Sequence, residues 1–186
     1  RSAKHPNGLP DLSEEDREKV EHENKLFNFV LASVLFLVRT KASWSVECQA
    51  NNWYWKTDWA LPFDGVDGQD LVSWDVRPDG LQTVIKFKRL VTAMCMHGGG
   101  RDNLVAIAYG GGVDLDDLNV LCDGSHAHQP WKTVKVEGTV VSIKKPGEYP
   151  CTFARKLALR VAKQHSEKLG ASFKEEIKES IHREKQ

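Results

Sequence analysis

Residues 26–38, LFNFVLASVLFLV, are a 13-residue stretch without a single charge in a chain of 186. A bilayer span takes roughly 20 apolar residues, so this run predicts a buried helix, not a membrane anchor. Upstream, Ser13 followed by Glu14, Glu15 and Asp16 has the form of an N-cap, with acids where the helix dipole is positive. The helix should run to about Val38, with Val20, Phe27, Val30, Leu31, Val34, Leu35 and Val38 on one face at three- and four-residue spacing. Its C-terminal half is apolar on nearly all sides. That predicts cover from other structure, such as a sheet on one face and a helix beside it.

Short apolar segments follow. Trp44–Glu47, a stretch from Gln82 to Phe87 or on to Met94, and Leu104–Tyr109 are strand candidates, the last bounded by the glycine triplets 98–100 and 110–112. Residues 61–80 are rich in glycine and aspartate and read mostly as loop, and TVKVEGTVVSI (133–143) alternates as a hairpin around Gly138. From Thr152, the residues Phe153, Leu157, Val161 and Ala162 have helical spacing. Leu169, Phe173, Ile177 and Ile181 continue a stripe on a charged tail, the pattern of a surface or partner-binding helix. The division expected is a domain over 1–162 and an amphipathic helix or tail over 163–186.

Charge is balanced, 26 Lys+Arg against 26 Asp+Glu, which removes a global positive field as an argument for nucleic-acid binding and leaves only local basic patches. Cys48, Cys95, Cys122 and Cys151 are widely spaced and no secretory leader is evident, which points to a reducing intracellular compartment. The start at Arg1, without methionine, suggests a processed chain or an excised segment.

The segment WSVECQANNWYW (44–55) changes within three residues from a strand-like run to amides and tryptophans, and places Glu47 where the strand should end. In open α/β sheets, sites gather outside the carboxyl ends of strands. Here the chain resembles the cytosine-5 DNA methyltransferase-like domains, in divergent versions where a long helix leads to a strand ending in Glu-Asn-Pro. The matching residues are NKLFNFVLASVLFLVRTKASWSVECQANNWYW, with Glu47-Cys48-Gln49 in place of Glu-Asn-Pro. CMHGGGRD (95–102), CDGSHAHQPW and GEYPCTFARKLA resemble later segments of the same proteins, so the likeness covers about Pro6 to Ala162.

That resemblance implies an α/β fold, a partial Rossmann-like sheet of methyltransferase type flanked by helices. It also implies Glu47 as the group that holds the edge of a flipped cytosine while a cysteine attacks the ring. The departures are equally specific. Cys48 and Gln49 break the motif, no glycine-rich turn precedes Ser13 to hold S-adenosylmethionine, and the Pro150-Cys151 pair follows Glu47 instead of preceding it. The expectation is a back half of such an enzyme, from a larger polypeptide or a mobile-element or virus-like source. It would methylate only with an upstream cofactor segment and would retain nucleic-acid contacts. The rival, of a different class, is a structural subunit recruited into a protein assembly through residues 163–186. A carboxylate that merely caps a turn or pairs with a cation is the plainer account of Glu47.

A second constellation is CDGSHAH, where Cys122, His126 and His128 offer soft sulfur and imidazole, the ligands of zinc. A structural zinc site wants four; Cys95 or His97 from MCMH, or Cys151, could complete it. The plainer alternative is a polar loop turning on Asp123-Gly124-Ser125. Arg101, after the first glycine triplet, could hold a phosphate, and Trp53 is the aromatic of its cluster most suited to stack on a base, whereas Trp55 and Trp59 at helical spacing suit a core. The three aspartates after the second triplet would repel an anion.

Overall fold

Ser13 starts the first helix as its spacing predicts. In this computed structural model, which describes residues 1–57, 60, 72–76, 83–130, 132–136, 139–143 and 149–169, α1 spans Glu14–Arg39 and the Ser13 side chain accepts the Asp16 N–H. It ends on a bonded reversal. The amide of Ala42 donates to Leu37 O at 2.8 Å and that of Lys41 to Val38 O at 3.0 Å, with Lys41 at φ 57°. Those are the two bonds of a Schellman stop, with lysine in the left-handed position that glycine usually fills.

The strands are β1 (Trp44–Gln49), β2 (Val72–Val76), β3 (Thr83–Ala93) and β4 (Leu104–Gly110), in one sheet of order β1-β4-β3-β2. β1 runs antiparallel to β4, with Trp44 opposite Gly110 and Glu47 opposite Ile107, and β2 runs antiparallel to β3. A separate hairpin pairs β5 (Lys132–Val136) with β6 (Thr139–Ile143), flanking Gly138 as its alternation predicts. Helix α2 spans Cys151–Leu169. Mixed helix and strand is therefore correct as a class. β2 falls in the stretch expected to be loop, where its five residues, VSWDV, are too few to outweigh the glycines and aspartates around them.

The chain divides into two compact units, one of residues 1–92 with 104–111, the other of 93–103 with 112–186. The expected boundary after residue 162 falls inside α2. The stripe of Phe173, Ile177 and Ile181 lies outside the described residues, as does Trp59.

In the first unit, Val34 and Leu35 of α1 meet Trp44, Tyr54, Trp55, Ile85, Phe87, Ala106 and Ala108, with Phe27, Val30, Leu31 and Val38 packed around them. This is the face that the helical spacing predicts. The opposite face differs from expectation: Leu26, Phe29 and Phe36 are exposed. Trp55 is fully buried, donates its indole N–H to Gln49 O at 3.0 Å, and carries the Arg89 guanidinium 4.6 Å from its ring centre. Gly110 is required by packing, because a Cβ there would meet Lys86 O at 2.6 Å and the Trp44 ring at 2.9 Å.

In the second unit, Phe153 of α2 packs on the ring of buried His97, 5.2 Å between centroids. The Thr152 hydroxyl donates to His97 O, and Arg160 forms a two-pronged pair with Asp117.

Candidate metal centre

The buried end of the site is built by the chain leaving β3. The Ala93 amide donates to Val120 O and the Met94 amide to Asn103 O, both at 2.8 Å, and residues Met94–His97 then wind into a single 3₁₀ turn. Gly98, at φ 91°, ends that turn with its amide on Cys95 O, and the Gly99 amide returns to Met94 O at 2.9 Å. A Cβ on Gly99 would lie 2.8 Å from Met94 O, so the first glycine triplet serves close backbone packing. Cys95 is thereby held on a buried turn with 8% of its surface exposed.

The other end is a local turn. Asp123 accepts from the Ser125 amide at 2.9 Å and from its hydroxyl at 2.7 Å, and these bonds hold the Asp123 carboxyl below its ordinary pKa. Gly124, at φ 71°, directs its N–H at Cys122 Sγ, 3.4 Å away. The turn brings Cys122 Sγ to 3.9 Å from His126 Nε2 and 3.4 Å from His128 Nε2, and the two Nε2 atoms to 3.1 Å from each other.

With Cys95, these four ligand atoms all lie within 4.8 Å of one another. Tetrahedral zinc with ordinary bond lengths sets sulfur–nitrogen edges of about 3.6 Å and nitrogen–nitrogen edges of about 3.3 Å. The sulfur–nitrogen edges of 3.4 and 3.9 Å lie on either side of the first value, and the nitrogen–nitrogen edge of 3.1 Å is slightly below the second. The set Cys95, Cys122, His126 and His128 can therefore hold a metal ion. Asp123 Oδ1 lies 3.9 Å from His126 Nδ1, beyond hydrogen-bond reach, and its bonds go to Ser125. The Cys95 thiol is pushed up by burial and by the neighbouring Cys122 sulfur, a cost that a metal ion relieves by stabilising the thiolate.

Among the three candidates for the fourth ligand, geometry selects Cys95. His97 is 2% exposed, faces Lys156 Nζ at 3.5 Å, and has its pKa lowered by burial and by that ammonium. Cys151 is exposed at the start of α2 and is not in the cluster. Sequence reading missed the Gly124 amide directed at Cys122, although the D-G-S turn that supplies it was visible.

The remaining candidates are not members of this cluster. Glu47 lies inside β1, two residues short of its end, with its side chain exposed while Trp44, Val46 and Cys48 face the core. β1 is an edge strand paired antiparallel, so Glu47 is not at the carboxyl end of a parallel strand. Trp53 is 39% exposed in the same unit. Arg101 is half-exposed in the second unit, on the turn that Gln129 joins to the metal loop by donating its amide to Gly100 O. All four cysteines are free, and no helix among the described residues is long and apolar enough to cross a membrane. No family model, curated protein or solved structure matches the chain.

Proposed function

We propose that this chain is a zinc-stapled binding module that contacts nucleic acid and has no catalytic activity of its own. The observation that carries the reading is the four-atom cluster of Cys95, Cys122, His126 and His128. Two thiolates and two imidazoles suit zinc among the common metals. Four protein ligands also fill a tetrahedral shell and leave no position for water or substrate, which is the mark of a structural site. The metal would join a buried turn to an exposed loop, adding to the backbone bonds from Ala93 to Val120 and from Gln129 to Gly100.

The nucleic-acid part of the reading rests on Arg101. Its turn, residues 98–101, is held between the Cys95 segment and the Gln129 amide, so the metal would set the position of a guanidinium suited to a phosphate. The resemblance to the back half of a cytosine-5 methyltransferase-like domain supports the same class of ligand, and a partial sheet of that type is part of this proposal. Neither glycine triplet offers S-adenosylmethionine a helix N-terminus. The turn after residue 98 leads into β4 and the one after residue 110 into a 3₁₀ turn, so neither opens a helix whose N-terminus could cradle it. Nothing here supports a methyl-transfer step.

Metal analysis of the purified chain tests the staple, with one equivalent of zinc expected and much less than one counting against it. Binding of duplex and single-stranded DNA across a salt series tests the rest. Arg101→Ala should retain zinc, weaken binding at every sequence and reduce the salt slope by about 1. Absent or salt-insensitive binding would leave the scaffold reading, which expects loss of residues 163–186 to dissolve a stable protein assembly.

A further inference from the structure

We propose that the same centre is a peroxide-sensitive latch, in which oxidation joins Cys95 to Cys122 and expels the metal. The inference rests on the zinc reading and adds a regulation to it. Cys95 and Cys122 are brought into one cluster, while Cys48 and Cys151 lie outside it.

The two sulfurs of the pair are unequally placed. Cys95 is buried on the 3₁₀ turn that Gly98 and Gly99 close, whereas Cys122 is half-exposed in a loop whose neighbours Leu121, Asp123, Gly124, Ser125, His126 and Ala127 are all exposed. Cys122 is therefore the sulfur an oxidant reaches, and its loop is the side that shifts to close an S–S bond of about 2.05 Å. The bonds that shape the loop from Cys122 to Ser125, those of Asp123 with Ser125 and of Gly124 with Cys122, are local and move with it.

The chemistry balances with hydrogen peroxide as the oxidant. The Cys122 thiolate attacks one peroxide oxygen, the O–O bond breaks, hydroxide leaves, and a sulfenic acid remains. The Cys95 thiolate then attacks the Cys122 sulfur, the S–O bond breaks, and a second hydroxide leaves as the disulfide forms. Two protons convert the hydroxides to water, and the two electrons come from the thiolate pair. His126 and His128 alone would then offer a bound metal half of a tetrahedral set, too few ligands to retain it.

The test treats the zinc-loaded full chain with hydrogen peroxide, follows released zinc with a chromogenic chelator, and maps disulfides by mass spectrometry without reduction. One zinc released per Cys95–Cys122 disulfide is expected, with rebinding after thiol reduction. Cys151→Ser, outside the cluster, should release zinc as the parent does, with the same Cys95–Cys122 disulfide. Zinc retained while Cys151 oxidises overturns the latch and leaves the staple intact, as does release without the Cys95–Cys122 bond. A chain that takes up no zinc at the outset overturns both.

Discussion

Gln129 donates its backbone N–H to Gly100 O at 2.7 Å, tying the end of the metal loop to the turn that follows the buried ligand Cys95. The approach is close enough that a Cβ on Gly100 would meet the Gln129 side-chain amide at 2.8 Å, and one on Gly99 would meet Met94 O at the same distance. The two collisions differ in kind. A glutamine side chain can swing away, whereas a carbonyl of the turn cannot. Gly99→Ala should cost about 1–3 kcal/mol of stability and weaken zinc binding, with Gly100→Ala much milder. Thermal unfolding and zinc titration of both variants check this, and equal effects would contradict it.

The helix stop at Lys41 offers a gain. A non-glycine residue at φ 57° pays a left-handed penalty that glycine avoids, and the two reversal bonds at Lys41 and Ala42 come from the backbone. Lys41→Gly should stabilise the chain by about 0.5–1 kcal/mol, the left-handed cost less the added freedom of the unfolded glycine. Chemical denaturation should show a higher midpoint with an unchanged slope.

Trp53 and Trp55 are two residues apart and should behave oppositely. Trp55 is fully buried, hydrogen-bonded and capped by Arg89, so Trp55→Ala should cost about 3–5 kcal/mol. Trp53→Ala, at a partly exposed site, should change stability by no more than about 0.5 kcal/mol. If Trp53 stacks on a base, the same variant should weaken single-strand binding severalfold at constant fold. Circular dichroism and a binding titration separate the two effects.

The four thiols should react in a definite order. Burial first, then the adjacent Glu47 carboxylate, pushes the Cys48 thiol from 9.0 up to about 11, so the folded chain holds that proton more tightly than the unfolded one. Its contribution to stability is constant below pH 9 and is lost as pH rises from 9 through 11. At neutral pH, alkylation should label exposed Cys151 first and Cys48 and buried Cys95 slowly, with Cys122 protected when zinc is bound and open to reagent after chelation. Peptide mapping over time gives the order, and rapid labelling of Cys48 in the folded chain would contradict its burial.

Local patterns carried much of the fold. Ser13 and its acids, the α1 stripe, the strand of Leu104 and its neighbours, and the hairpin around Gly138 were legible because cap, period and turn are properties of adjacent residues. Sites were harder. Cys122, His126 and His128 were readable as a ligand group because one turn brings them together. Glu47 looked like the end of a strand because apolar spacing marks a strand's face more clearly than its length, and β1 continues to Gln49.

What the sequence determined by itself is thus what nearest neighbours decide: a capped amphipathic helix, short alternating strands, and a Cys-x3-His-x-His turn. The tertiary structure alone decided that Cys95, and not His97 or Cys151, completes the cluster, that Glu47 faces outward from an edge strand, and that Leu26, Phe29 and Phe36 of α1 are exposed. Each depends on contacts between segments far apart in the chain. A residue's type and spacing state what it could bind or bury, but which distant segment returns to meet it follows from the packing of the whole.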